Sequence, residues 1–100
     1  MADPFENWLE AEVNQARIDL IRTDLAVCLM FADIAETEFR LGNREHAEQL
    51  LAKAEKGYSD MFRFFGEAKG MTTEVESELD STFKRLRERL DLLGISSNPC

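Results

Sequence analysis

The chain has 100 residues, 44% apolar and 32% charged, enough for one domain with one hydrophobic core and too few for a second. Its net charge of −8, from 20 acidic against 12 basic residues, lacks the positive field by which proteins hold the phosphates of DNA or RNA. With only two prolines and five glycines, the composition is typical of an all-α protein. We therefore predict helices and no nucleic-acid partner.

The first predicted element is a long helix that begins close to the N-terminus. Asp3 suits its N-cap, Pro4 its first position, and Glu6 lies where a capping box places an acid. No glycine or proline follows until Gly42, which is expected to end the helix in a left-handed conformation, with Asn43 capping the next helix.

Two further helices are predicted, from about residue 44 to 65, with Gly66 and Gly70 at the exit, and from a second capping box at 73–76 to Leu93–Gly94. Each carries one apolar stripe at helical spacing. The stripes are Ala47, Leu50, Leu51, Ala54, Tyr58, Met61, Phe62 and Phe65, and then Leu79, Phe83, Leu86, Leu90 and Leu93. The sequence thus predicts an antiparallel bundle of three helices with a long first helix, in one domain over residues 1–94, followed by a flexible tail over 95–100.

The first helix is too long for its predicted neighbours. With the turn at Gly42, residues 4–17 would project beyond the other two helices, although they carry an apolar stripe that we expect to be covered from water. The stripe is Phe5, Trp8, Leu9, Val13 and Ala16. Either the helix is continuous and forms a homodimer through residues 4–30, or it breaks near Thr23–Asp24 and folds back as a fourth helix. The absence of Gly and Pro favours the continuous helix.

Small and large apolar residues alternate on both sides of Gly42 over residues 31–59. Those that match the pattern are Phe31, Ile34, Ala35, Ala47, Leu51 and Ala54. This hairpin resembles a single tetratricopeptide repeat, a family in which small residues let two helices approach closely. The family departs from this chain at two places, since its late tyrosine falls on Glu38 and its closing proline on Ser59. The resemblance implies a closely packed hairpin and, beside it, a groove for a peptide.

The sequence predicts no catalytic, cofactor-binding or metal site. His46 is the only histidine, whereas carboxylate-bridged metal sites in bundles need a Glu-x-x-His motif from each of two helices. Asp33 interrupts an apolar run, so we expect it either to face a narrow polar window or to meet a cation such as Arg17 or Arg63 across an interface. The basic run 84–89 is interpreted as a solvated helix face.

Cys28 lies within an apolar run and is predicted to be a buried small side chain. Two cysteines do not make a disulfide framework. No secretory signal is recognised at the N-terminus, and the longest apolar run is too short to span a bilayer. We therefore expect a cytoplasmic protein with no membrane partner.

The candidate interaction residues are Phe5, Trp8, Leu9, Val13 and Phe64. Phe64 lies off the stripe of the second helix, so it needs a cover from the third helix, from a second copy or from another protein. We predict a non-enzymatic protein–protein interaction or scaffolding module that forms a homodimer through its first helix, with another protein or peptide as the alternative partner. Two alternatives are a structural subunit whose only role is oligomerisation and an enzyme using carboxylates near His46.

Overall fold

A computed structural model describes the backbone of residues 3–97 and the side chains of residues 3–94. It contains three helices, α1 (Pro4–Arg40), α2 (Arg44–Glu67) and α3 (Thr73–Ser97), and the described residues form no strand. They pack as an up-down-up bundle with a long first helix, which confirms the predicted fold class. Helix α1 passes unbroken through Thr23 and Asp24, so the alternative of a fourth helix folded back at this point is wrong.

The ends of α1 follow the sequence closely. Asp3 caps it, because its Oδ1 accepts a hydrogen bond of 3.1 Å from the backbone N–H of Phe5. Gly42 has a φ of +84°, the left-handed conformation that glycine adopts without steric cost. Asn43 stands at the N-cap of α2 but makes no capping hydrogen bond with its side chain. Its Nδ2 instead donates to Oε2 of Glu38 at 2.7 Å, so the predicted capping role is wrong.

The other boundaries differ from the prediction by small shifts. Helix α2 continues through Gly66 to Glu67, and Gly70, with a φ of +73°, lies in the connection to α3. Thr72 rather than Thr73 caps α3, since its Oγ1 accepts a hydrogen bond of 3.2 Å from the backbone N–H of Val75. Helix α3 continues past Gly94 to Ser97, and residues 98–100 of the predicted tail lie outside the described residues.

The core is apolar throughout the described residues, and the α1–α2 contact is built on small side chains. Ala32, Ala35, Ala47 and Ala54 are fully buried there. Cys28 is almost fully buried, which confirms the prediction made for it. Gly57 lies against Cys28 so closely that a Cβ at this position would come within 2.5 Å of the sulfur. The predicted stripe of α3, Leu79, Phe83, Leu86, Leu90 and Leu93, is buried as expected.

Aromatic rings of α2 surround Phe83 of α3. The ring centroids of Tyr58, Phe62 and Phe65 lie 5.6, 5.4 and 5.2 Å from that of Phe83. Phe62 is nevertheless 51% exposed, although its place on the predicted apolar stripe of α2 led us to expect it in the core. Phe64 is half-buried and packs against the core, so part of the cover that it was expected to need comes from its own chain. Helix α2 contacts both α1 and α3, so its buried side chains occupy more of its circumference than a single stripe does.

Ion pairs bind α3 to its neighbours and correct the prediction of a solvated basic run. Arg87 donates two hydrogen bonds to the carboxylate of Glu55 on α2, at 2.6 and 2.9 Å, with its guanidinium 5.0 Å from the centre of the Tyr58 ring. Arg89 donates to Asp33 on α1 at 2.6 Å. The partner of Asp33 therefore comes from α3 of the same chain, and neither Arg17 nor Arg63 takes that role.

Candidate self-association surface

The register of the bundle explains why part of α1 projects. The pairs Arg22–Glu78 and Arg89–Asp33 each join residues 56 positions apart, so α1 and α3 run parallel with a constant offset. Since α3 begins at Thr73, its first residue lies beside position 17 of α1. Helix α2 ends at Glu67, and the connection behind it reaches only Asn14, which a Cβ on Gly70 would approach to 3.3 Å. Residues 4–17 of α1 are here called the projecting segment, and most of this segment therefore extends past both neighbours.

The projecting segment contains four of the five predicted interaction residues, and all four are exposed. Phe5 is 63% exposed, Trp8 57%, Leu9 46% and Val13 45%. The rings of Phe5 and Trp8 lie 6.0 Å apart and form one aromatic pair. Phe64, the fifth candidate, belongs to α2 and packs against the core, so it is not part of this surface. Exposed apolar side chains in such a group mark interaction sites on otherwise soluble folds.

The apolar side of the projecting segment is not the side that faces the bundle. Ile18 is the first buried residue of α1. The positions that extend its face toward the N-terminus are Asn14, Ala11 and Asn7, spaced four, three and four residues apart. Two asparagines on that face do not require an apolar cover. The four large apolar residues lie at other positions around the helix, where the bundle leaves them exposed.

A groove of about 410 Å³ lies where the projecting segment meets the end of α2. Leu9 and Val13 form its apolar part. Its rim is charged with both signs by Glu6, Glu10, Arg17, Glu67 and Lys69. An apolar floor between mixed charges suits an amphipathic helix of balanced charge better than a phosphate or a fatty chain.

A second groove, of about 520 Å³, opens at the α1–α2 turn and includes His46. The Nδ1 atom of His46 lies 3.4 Å from Oε2 of Glu38, with the imidazole 58% exposed. Asn43 donates to the same carboxylate, and this hydrogen bond, followed by that of His46, lowers the pKa of Glu38. Among the described residues no group of three His, Cys, Asp or Glu side chains could hold a metal. The turn thus presents one histidine and one carboxylate held in place by hydrogen bonds.

The exposed apolar surface of α1 does not stop at the projecting segment. Leu20 is 45% exposed, Met30 53% and Ile34 39%. The sequence interpretation did not single out these residues as exposed, and it named Ile34 only as a match to the tetratricopeptide-repeat pattern. Their alternating spacing from Leu9 and Val13 is the signal that could have found them.

A comparison with protein-family models, curated proteins and solved structures found no match. None of the described helices is long and apolar enough to cross a membrane.

Proposed function

We propose that this chain is a non-enzymatic protein–protein interaction and scaffolding module that self-associates through α1. The observation that carries the proposal is the projecting segment, which holds four large apolar residues that the bundle leaves exposed. Burying apolar surface yields about 25 cal/mol per Å², so a second chain that covers these side chains is stabilising. A homodimer is the simplest assembly that does this, since the same surface serves both partners.

Two observations favour an interaction module over an enzyme. His46 is exposed and contacts one carboxylate, whereas active sites generally hold their catalytic groups in a cleft from which water is expelled. Cys28 is buried, and burial raises the pKa of its thiol, which disfavours the nucleophilic thiolate. The alternative of an enzyme acting near His46 therefore has the weaker basis.

The mixed charge around the groove at Leu9 and Val13 favours one second candidate, an adaptor that receives a helix or peptide of another protein. The resemblance to a tetratricopeptide repeat stays a prediction and would suit this role. A subunit whose only role is oligomerisation differs from the adaptor in leaving no apolar surface open once assembled. We extend the proposal to a cytoplasmic location, where a free thiol such as Cys28 stays reduced.

The test is the mass of the chain in solution, measured by light scattering under reducing conditions. We expect a dimer for the native chain and a monomer for Leu9→Glu, which places a charge within the exposed apolar surface. Leu92→Glu is the matched control, because Leu92 is a 64% exposed leucine on α3, and it should stay dimeric. The fluorescence of Trp8, the only tryptophan, should shift to the blue as the native chain associates. A native chain that remains monomeric up to about 1 mM, the range of weak association, would contradict self-association.

A further inference from the structure

Helix α1 carries a second apolar stripe along its whole length, opposite the core. The core face consists of Ile18, Ile21, Leu25, Cys28, Ala32 and Ala35. Two positions after each of the first five lies a residue of the opposite side, and two positions correspond to a rotation of about 200° around the helix. We name this opposite stripe the back seam; it consists of Leu9, Val13, Ala16, Leu20, Thr23, Val27, Met30 and Ile34.

The back seam has the spacing of a coiled coil. Its members follow one another at steps of four and three without exception, over close to four heptads, the length at which this pattern indicates a coiled coil. All are apolar except Thr23. In the structure Val27 is half-buried and the rest are exposed. From Leu9 to Ile34 the seam is about 38 Å long at 1.5 Å per residue, so it continues far beyond the projecting segment.

We propose that the back seam is the interface of an antiparallel coiled coil between the α1 helices of two copies of this chain. This inference rests on the proposed self-association and defines its extent and direction. The centre lies between positions 21 and 22. Each projecting segment then packs along the half of α1 that carries the bundle in the other copy, and the two bundles lie at opposite ends, outside the contact.

The sizes of the seam residues favour the antiparallel direction. In a parallel pair each residue faces its own equivalent, so Ala16 would face Ala16 and Thr23 would face Thr23, leaving two thin layers. In the antiparallel pair Ala16 faces Val27, and Thr23 faces Leu20. Every layer then joins a small residue to a larger one or two large ones, which fills the interface evenly and avoids voids.

The charges beside the seam support the same direction. A parallel pair places Asp19 beside Asp24, and Asp33 beside Glu38, on both sides of the interface, and its one favourable contact is between Glu12 and Arg17. Like charges held together in this way are destabilising. The flanking positions therefore carry more repulsion than attraction in the parallel arrangement.

In the antiparallel pair Arg17 of each copy lies beside Asp24 of the other, so the attractive contact occurs twice. The unfavourable contact, between Glu12 and Asp33, also occurs twice, whereas the parallel pair has two kinds of unfavourable contact, each on both sides. Arg89 already donates to Asp33 at 2.6 Å, and this cation offsets the repulsion. The seam of a second copy thus complements this seam in side-chain size and in flanking charge. An unrelated helix would have this complementarity only by chance.

The first experiment compares dimer dissociation constants, by sedimentation equilibrium, of the native chain and the variants Leu9→Glu, Ile34→Glu and Leu92→Glu. Ile34 lies outside the projecting segment, so only the extended seam requires its burial on association. We expect both seam variants to raise the dissociation constant by at least about tenfold, with no change for the Leu92 control. Ile34→Gln, a milder change with circular dichroism as the check of helix content, keeps the test valid if the charged variant unfolds.

The second experiment measures direction by electron spin resonance, with a spin label on Asn7→Cys in a Cys100→Ser chain. Asn7 is exposed and off the seam, while Cys28 is buried and escapes labelling. The antiparallel pair separates the two labels by about 44 Å along the axis, and a parallel pair by about 20–30 Å across two helix diameters.

The outcomes separate this inference from the proposal on which it rests. A dimer weakened by Leu9→Glu but not by either Ile34 variant overturns the extended seam and leaves self-association through the projecting segment in place. A short label distance overturns the antiparallel direction. A native chain that is monomeric overturns both proposals. A native dimer, weakened at both ends of the seam and with labels about 44 Å apart, supports the inference in full.

Discussion

The two halves of α1 belong to one unbroken helix but are held in different ways. From Ile18 to Ala35 the helix buries a regular apolar face against α2 and α3. Over residues 4–17 the described side chains are exposed, apart from a half-buried Asn14. Helical continuity therefore says nothing about burial, and the length of the neighbours decides where the core begins.

The difference also concerns what stabilises each half. A helical stretch shorter than about 12–15 residues is only marginally stable in water, so the projecting segment depends on the helix that continues behind it and on the cap at Asp3. The bundle half is fixed by packing and by ion pairs such as Arg22–Glu78 at 2.8 Å. We expect a partner to change the stability of the first half far more than that of the second.

The largest effect should come from removing a central side chain of the bundle. Phe83→Ala deletes a ring that is 2% exposed, and we expect the free energy of unfolding to fall by about 3–5 kcal/mol. Trp8→Ala removes a larger ring from the projecting segment, but in dilute protein it should change the free energy of unfolding by less than about 0.5 kcal/mol. Urea unfolding followed by circular dichroism measures both.

At higher protein concentration the same Trp8→Ala variant should become destabilised relative to the native chain, because association stabilises the folded state. A loss in dilute protein as large as that of Phe83→Ala would mean that the segment is packed within the monomer, which would remove the contrast between the two halves.

A moderate effect is expected where α2 approaches the bundle half of α1 most closely. Gly57→Ala would place a Cβ 2.5 Å from the sulfur of Cys28, so we expect a loss of about 1–3 kcal/mol from overpacking. Gly66→Ala is the matched control, because nothing lies within 4 Å of its Cβ position, and it should gain up to about 1 kcal/mol from helix propensity.

Combining Gly57→Ala with Cys28→Ala should restore part of the loss, since the second change removes the sulfur that the new methyl group meets. The coupling in this double-mutant cycle is the decisive measurement. Strict additivity of the two changes would show that the sulfur of Cys28 does not resist the new methyl group, which would contradict close packing between α1 and α2 at this point.

The smallest effect should appear in the response to acid at the bundle end of α1. Hydrogen bonds from Asn43 and then His46 lower the pKa of Glu38 in the folded chain. The resulting stabilisation is present above the ordinary pKa of the carboxyl and is lost as pH falls through the lowered value. Relative to the unchanged sequence, Asn43→Ala should therefore lower the free energy of unfolding by more at neutral pH than at pH 2. Unfolding midpoints that shift equally at both pH values would contradict this role of Asn43.

Sequence reasoning succeeded where one physical rule acted alone. The end of α1 followed from Gly42, and the stripe of α3 from its spacing, because residues three and four positions apart lie on the same side of a helix. The projection of residues 4–17 followed from counting helix lengths. These features need only the geometry of a helix and of a turn.

It failed where burial depends on how far the neighbouring helices extend over a side chain. Phe62 lies on the predicted stripe of α2 and is nevertheless 51% exposed, because spacing within one helix does not reveal that extent. Arg89 reaches Asp33 only through the register of α1 and α3, which spacing within one helix does not reveal. Only the N-terminal part of the back seam was recognised from the sequence. Helix α1 has apolar residues on two opposite sides, so it shows no single apolar face by which either side could be identified.

The shape of the molecule follows from the projecting segment and affects how it diffuses. The chain measures 60 × 20 × 16 Å, with a radius of gyration of 16.8 Å, against about 13 Å for a compact globule of this length. Such a rod has high friction for its mass, so a single chain migrates through a porous gel as a heavier sphere would. Two rods side by side and overlapping in full would double the mass and add little to the length. Elution volume therefore discriminates poorly between one chain and two, whereas scattered intensity and sedimentation at equilibrium depend on mass alone.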